Sequence, residues 1–109
     1  MAEKQKELLV AIDYFTVEKA NRSIFYITVV GKVPTSGWIV NLHPTVYVRS
    51  TNTWVIQAMG IKPSGDVPEL ITDWVRSIEM NLPKQTQQVS VRGSNRTITK
   101  PVPWFVKGD

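Results

Sequence analysis

Hydrophobic and polar residues alternate in short segments along most of this chain. The segments are roughly 7–12 residues long and are separated by glycine, proline, asparagine and serine, a spacing typical of β-sandwiches and barrels. They are rich in β-branched and aromatic residues, which suit a pleated, half-buried surface. The pattern predicts an all-β fold, an immunoglobulin-like or fibronectin-like β-sandwich of seven or eight antiparallel strands.

The sequence contains no internal repeat, no low-complexity stretch and no linker. We therefore expect a single β-sandwich domain over residues 1–109, with residues 1–6 as a flexible N-terminal tail. Pro44 cannot donate a ladder hydrogen bond, so it predicts a bulge, an edge strand or a short loop. Strands are predicted at 8–18, 23–30, 38–40, 46–49, 53–59, 74–82, 85–91 and 96–100, and the strand at 23–30 is expected to be central because both of its faces are largely apolar.

The segment 69–82 fits two kinds of secondary structure. Ile71, Trp74 and Ile78 fall at helical spacing, and Pro68 suits the first turn of a helix. Residues 77–82 alternate as a strand does. We predict a short helical turn near 68–72 followed by a strand at 74–82, with a full helix as the alternative.

The net charge of +4, from 13 basic and 9 acidic residues, raises the question of a nucleic-acid partner. Basic and acidic residues alternate through the N-terminal part of the chain. Only the residues after Glu79 are predominantly basic, and there the basic residues are widely spaced. We expect a solvated surface rather than a nucleic-acid site.

The N-terminal region argues against a membrane segment. The apolar run Leu8–Ile12 ends at Asp13 and is too short for a signal peptide or a membrane span. A soluble, cytoplasmic protein without membrane insertion is the default expectation, although a leader that had been removed would leave the same sequence. The absence of cysteine fits either compartment.

The residue inventory excludes most catalytic and metal chemistry. There is no cysteine, and His43 is the single histidine, so neither a thiolate site nor a multi-histidine metal site can form. Serine–histidine–acid chemistry would need His43 with Asp13, Asp66 or Asp73, and no nucleophile-elbow pattern accompanies it. We predict no catalytic, cofactor-binding or metal-binding residues, and hence a protein that is not an enzyme.

Four tryptophans are the unusual feature of the composition. Trp54 lies in a strong predicted strand and is expected in the core. Trp38, which follows a loop glycine, and Trp104 and Phe105, in the proline-containing tail, are the candidate ligand- or partner-binding residues. An exposed ring there could stack on a sugar, a base or a proline of a partner. The alternative role for Trp104 is to hold the tail over an open edge of the core.

The segment 33–38, Val-Pro-Thr-Ser-Gly-Trp, resembles the Asn-Pro-Thr-Thr-Gly-aromatic loop of the chagasin-type inhibitors of papain-like cysteine peptidases. That resemblance implies an immunoglobulin-like sandwich whose loops block an active-site cleft. Val33 replaces the leading asparagine of the family pattern. The family's Gly-rich loop is not reproduced at 60–65, and its Arg-Pro-Trp stretch lacks the arginine at 103–104.

Taken together, the sequence favours a small, non-enzymatic protein-interaction or binding module. A peptidase inhibitor of the chagasin kind, or a carbohydrate-binding module that uses an exposed tryptophan, are the alternatives. The expected partner is a protein or a second copy of the chain. A glycan is the further possibility, and nucleic acid is not expected.

Overall fold

The computed structural model describes residues 6–104 of the chain, and within this range all regular secondary structure is β-strand. The prediction of an all-β fold is therefore confirmed. No helix of the described range is long and apolar enough to cross a membrane. The strands are β1 (Glu7–Leu9), β2 (Ala11–Asn21), β3 (Ile24–Val33), β4 (Ile39–Val48), β5 (Thr53–Ile61), β6 (Thr72–Asn81), β7 (Gln88–Arg92) and β8 (Thr97–Pro101).

The strands form two sheets that pack as a sandwich. Strand β3 lies between β2 and β6 in a three-stranded antiparallel sheet, which confirms its predicted central position. Strand β5 is the middle of the five-stranded sheet: β4 pairs along one side of it, β1 and β7 share the other side, and β8 pairs with β7. Pro44 lies in the edge strand β4, beside a bulge between Pro44 and Val46.

One strand pair departs from the predicted antiparallel arrangement. Strands β5 and β7 are parallel, with Thr53 opposite Gln88 and Gln57 opposite Arg92. The reason is topological: β6, between them in sequence, belongs to the other sheet, so the chain returns to the five-stranded sheet in the direction of β5. The expectation that every strand is antiparallel was wrong for this pair.

The predicted helical turn at 68–72 and the alternative full helix are also wrong. Residues 62–71 are an irregular loop, and strand β6 begins at Thr72. The residues at helical spacing do not share one buried face, because Trp74 points into the core whereas Ile71 and Val75 are exposed. Alternation along β6 therefore determines which side chains are buried, and β6 pairs with β3 over its whole length.

The hydrophobic core lies between the two sheets. Inward-facing residues of β2 and β3, such as Phe15 and Phe25, meet Ile56 and Ala58 of β5. Trp74 is only 6% exposed, and its indole ring lies over Gly31 of the neighbouring strand. The side chains with almost no exposure are Phe15, Phe25, Ile12, Ile27, Ile56, Leu82, Val29, Val40, Val89, Val91 and Thr86.

The strand directions give the sandwich two different ends. The loops β3–β4, β5–β6 and β7–β8 leave strands that run toward one end, which we call the Trp38 end. The turns β2–β3, β4–β5 and β6–β7 lie at the opposite end, together with the segment 102–104. We call this the Trp104 end. Trp38 and Trp104, two of the predicted site residues, are therefore far apart along the molecule.

Candidate functional site

Trp38 closes the core at its own end and also borders a surface cleft. The indole ring lies against Gly60, where a Cβ atom would come within 2.9 Å of Trp38 Cε3. The indole N–H donates to Thr35 Oγ1 at 3.0 Å. This bond fixes the ring to the β3–β4 loop, so Trp38 is a rigid wall rather than a free side chain.

The cleft beside Trp38 is formed by two loops, and large apolar side chains are exposed at the same end of the sandwich. Ile71 of the β5–β6 loop is 71% exposed, its neighbour Leu70 is 66% exposed, and Ile39 at the start of β4 is 54% exposed. An adjoining shallow cleft contains Ile39 and shares Lys62 with the first. We call Pro34, Trp38, Ile39, Leu70 and Ile71 the loop-end surface; the first cleft is lined by Pro34, Thr35, Trp38, Lys62, Glu69 and Ile71.

Trp104 is anchored at the other end by both its backbone and its side chain. The indole N–H donates to the carbonyl of Thr86 at 2.6 Å, and the ring packs edge-on against Phe25 with centroids 5.0 Å apart. Lys19 Nζ donates to the carbonyl of Trp104 at 3.0 Å. These contacts hold the segment over the core, the alternative role considered for Trp104. Phe105 lies outside the described residues.

Two clefts flank Trp104, and both also include Lys84. Apart from Lys84, the first is lined by uncharged residues, whereas the second is lined by three basic residues. The residues of the first are Asn52, Lys84, Gln85, Thr86, Gln87, Val102, Pro103 and Trp104, and those of the second are Lys19, Arg22, Ser23, Lys84 and Trp104.

His43 lies on the outer face of the five-stranded sheet, where its Nε2 is 2.7 Å from Glu7 Oε2. The acids considered as its partners, Asp13, Asp66 and Asp73, do not contact it in the structure; Asp73 instead pairs with Lys32. Within residues 6–104, no three histidine or acidic side chains are grouped so as to hold a metal ion.

Two of the polar cross-strand pairs on the outer face of the three-stranded sheet contain a group whose pKa is shifted. Tyr26 lies opposite Glu79, and Lys32 opposite Asp73. A hydrogen bond with the Glu79 carboxylate, and then its negative charge, raise the pKa of the Tyr26 phenol above 10.0. The hydrogen bond with Asp73 and its charge raise the pKa of the Lys32 ammonium above 10.5. Both pairs are exposed structural contacts.

Trp54, expected in the core, is partly buried and packs against it, with its ring 5.4 Å from that of Tyr47. Sequence reasoning did not single out Leu70 and Ile71, because they were assigned to a helical turn. Their position between Pro68 and the first residue of β6 was the available signal: large apolar residues in a proline-containing loop have no core to enter.

Of the three segments compared with chagasin-type inhibitors, 33–38 and 60–65 lie side by side, whereas 103–104 lies apart from them. Residues 33–38 lie at the Trp38 end, and Pro103 and Trp104 at the Trp104 end. Comparison with protein-family models, with curated proteins and with solved structures finds no match.

Proposed function

We propose that this chain is a non-enzymatic protein-interaction module, immunoglobulin-like in general architecture, that binds a protein partner through the loop-end surface. The observation that carries the proposal is the exposure of three large apolar side chains, Ile39, Leu70 and Ile71, around one end of the sandwich. Contiguous exposed apolar surface is unfavourable in water and commonly marks a site of association.

The setting of these side chains supports an interaction role. The exposed Leu70 and Ile71 precede β6 directly, and the Trp38 ring behind the cleft is fixed by Thr35 and Gly60. A rigid aromatic wall beside exposed aliphatic side chains resembles the apolar centre of protein interfaces. Lys62 and Glu69 give the cleft one charge of each sign, which favours a protein surface over a polyanion.

The test uses peptides selected from a random display library on the immobilised full-length chain. Apolar peptides should be enriched, and their affinity should fall by at least about tenfold in the Leu70→Asp, Ile71→Asp double variant, since burial of two large side chains is lost. Val46→Asp, at a 50% exposed position on a different surface, is the matched control and should bind normally. Failure to enrich any peptide, or equal loss in the control, would count against the proposal.

Inhibition of a papain-like peptidase is the second candidate. It rests on the placement of residues 34–38 beside the β5–β6 loop, so that two loops project from the same end. Residual activity of such a peptidase should fall at micromolar concentrations of the chain, and the Leu70→Asp, Ile71→Asp variant should relieve this effect. Full activity at those concentrations would remove this candidate.

A further inference from the structure

The Trp104 end places side-chain amides and basic side chains around one aromatic ring. On one side of Trp104 the cleft presents the amides of Asn52, Gln85 and Gln87. On the other side it presents Lys19 and Arg22. Lys84 and Trp104 line both clefts, so the two clefts adjoin. We call them together the Trp104 groove, with a neutral half and a basic half.

The described residues that line the basic half of this groove include three cations and no acidic side chain. Among residues 6–104, no carboxylate lies within ion-pair distance of Lys19, Arg22 or Lys84. Such unpaired positive charges attract anionic groups, and arginine in particular can bind a carboxylate or sulfate through two N–H groups. The strand ends and turns of this end carry five basic residues against two acidic ones, namely Lys19, Arg22, Arg49, Lys84 and Lys100 against Glu18 and Glu79.

The neutral half of the groove offers donors and acceptors suited to hydroxyl groups. Side-chain amides provide both N–H donors and carbonyl acceptors. Thr86, which is 1% exposed, also lines this half, and among residues 6–104 its hydroxyl finds no hydrogen-bond partner. A buried hydroxyl without a partner is energetically costly, and a ligand hydroxyl that reached it would remove that cost.

We propose that this groove binds an acidic oligosaccharide, one that carries carboxylate or sulfate groups on its sugar rings. The cations would bind the acidic groups, the amides and the Thr86 hydroxyl would bind sugar hydroxyls, and the exposed part of Trp104 would contact the apolar face of a ring. The site lies at the opposite end from the loop-end surface. The proposal is therefore independent of the proposed protein interaction and can fail or succeed separately.

The experiment measures binding of the full-length chain to three probes by calorimetry and by tryptophan fluorescence. The probes are oligogalacturonates, heparin-derived oligosaccharides and uncharged cello-oligosaccharides of similar length. At least one acidic series should bind, and its affinity should fall as salt is added. That affinity should exceed the affinity for the neutral series by about tenfold or more, because a neutral sugar offers the cations no anionic group. Equal binding of neutral and acidic probes, or no binding of either acidic series at millimolar concentration, would overturn the proposal.

Variants locate the site. Arg22→Gln and Lys84→Gln should each lower the affinity for the acidic probe by about tenfold, the size expected for a lost hydrogen bond to a charged group. Lys62→Gln, at the Trp38 end, removes the same charge elsewhere and is the matched control. If Lys62→Gln weakened binding as much as the other two, attraction by net charge would explain the result and the groove would not be the site.

The Thr86 hydroxyl is tested separately, because a change of charge cannot reveal it. Thr86→Val replaces the hydroxyl by a methyl group of similar size, so the fold should persist and the affinity for the acidic probe should fall about fivefold, as for one neutral hydrogen bond. Thr86→Ser should restore part of the affinity. Unchanged affinity in Thr86→Val would contradict the assigned role of this residue, and tighter binding of single-stranded DNA than of every oligosaccharide would overturn the choice of ligand.

Discussion

The indole ring of Trp74 lies directly against Gly31, its register partner on the neighbouring strand. A Cβ atom on Gly31 would be 2.6 Å from Trp74 Cζ2 and 2.1 Å from the carbonyl oxygen of Ala11. Both distances are far below van der Waals contact. Because Gly31 has no side chain, the Trp74 ring of β6 and the Ala11 carbonyl of β2 can both lie against this position of β3.

This relationship predicts that Gly31→Ala is strongly destabilising. The backbone of β2 cannot yield as a side chain can, so we expect the free energy of unfolding to fall by about 3 kcal/mol, the upper part of the range for overpacked cores. Urea unfolding followed by tryptophan fluorescence measures the change. Gly65→Ala is the control: its Cβ meets no atom within 4 Å, but its φ of +82° is strained for alanine, and we expect a loss of only about 1 kcal/mol. Equal losses would contradict the steric explanation.

Asn95 should be essential for attachment of the β7–β8 hairpin to β2. Its side-chain carbonyl accepts a hydrogen bond from the Ile12 N–H at 2.9 Å, and its amide donates to the Ile12 carbonyl at 3.0 Å. Asn95→Ala should lower the free energy of unfolding by about 2 kcal/mol, because two backbone groups lose their partner. Asn95→Asp retains the acceptor and loses the donor, so its cost should be similar. Chemical denaturation measures both, and a neutral Asn95→Ala would show that water replaces these bonds.

Arg76 should protect the edges of the two sheets from self-association. Its Nε donates to the carbonyl of Val40 in β4 at 2.9 Å, and its guanidinium also bonds the carbonyl of Val75 at 2.8 Å. Both strands are edge strands, and exposed edges promote pairing between molecules. Arg76→Ala should increase dimer formation in sedimentation velocity experiments, whereas Arg49→Ala should not. An unchanged monomer fraction in Arg76→Ala would show that the edges are protected in another way.

The Tyr26–Glu79 pair predicts a loss of stability at alkaline pH. The pKa of Tyr26 is raised in the folded chain, so the folded state retains the phenol proton at a pH where the unfolded state has lost it. This contribution is complete below about pH 10, the ordinary tyrosine value, and is lost as the pH rises through the raised pKa. Lys32, whose pKa is also raised, contributes in the same direction.

Absorbance titration of tyrosinate tests the cause of the Tyr26 shift. In a Tyr14→Phe, Tyr47→Phe background, Tyr26 is the single reporter. Glu79→Gln should move its pKa back toward the ordinary value. Glu18→Gln is the matched control, because Glu18 lies opposite Tyr26 on its other side. An equal effect of the two substitutions would mean that general charge, rather than the Glu79 hydrogen bond, sets the pKa.

Much of the strand pattern could be predicted from the sequence because alternation is a local signal. The central position of β3 followed from the apolar character of both of its faces. The missing N–H of Pro44 predicted a bulge, an edge strand or a short loop, and the structure has an edge strand with a bulge there. Strand β6 was harder, since its apolar spacing also fits a helix. Pairing with β3, which is distant in sequence, determines that this segment is a strand, and local propensity does not include such contacts.

The candidate sites were less predictable than the strands. Trp38 and Trp104 could be selected as unusual residues, but whether a ring is free or fixed depends on partners such as Thr35 and Thr86 that turn geometry brings near. The basic half of the Trp104 groove combines Lys19 and Arg22 with Lys84, from separate turns. Charge counted along the sequence gave no indication of that cluster, because the three residues meet only in the folded chain.

The parallel pairing of β5 with β7 has a consequence for how the chain folds. Thr53 Oγ1 donates to Gln88 Oε1 across 35 positions, and Asn95 reaches Ile12 across 83. Contacts of such long range require a large loss of chain entropy before they stabilise anything, which slows folding. Because β7 and β8 follow β1, β4 and β5 in the sequence, the nascent chain cannot complete its five-stranded sheet until β8 has been made. Until then the side of β5 that receives β7 stays unpaired, and the growing chain is most prone to aggregation through this strand.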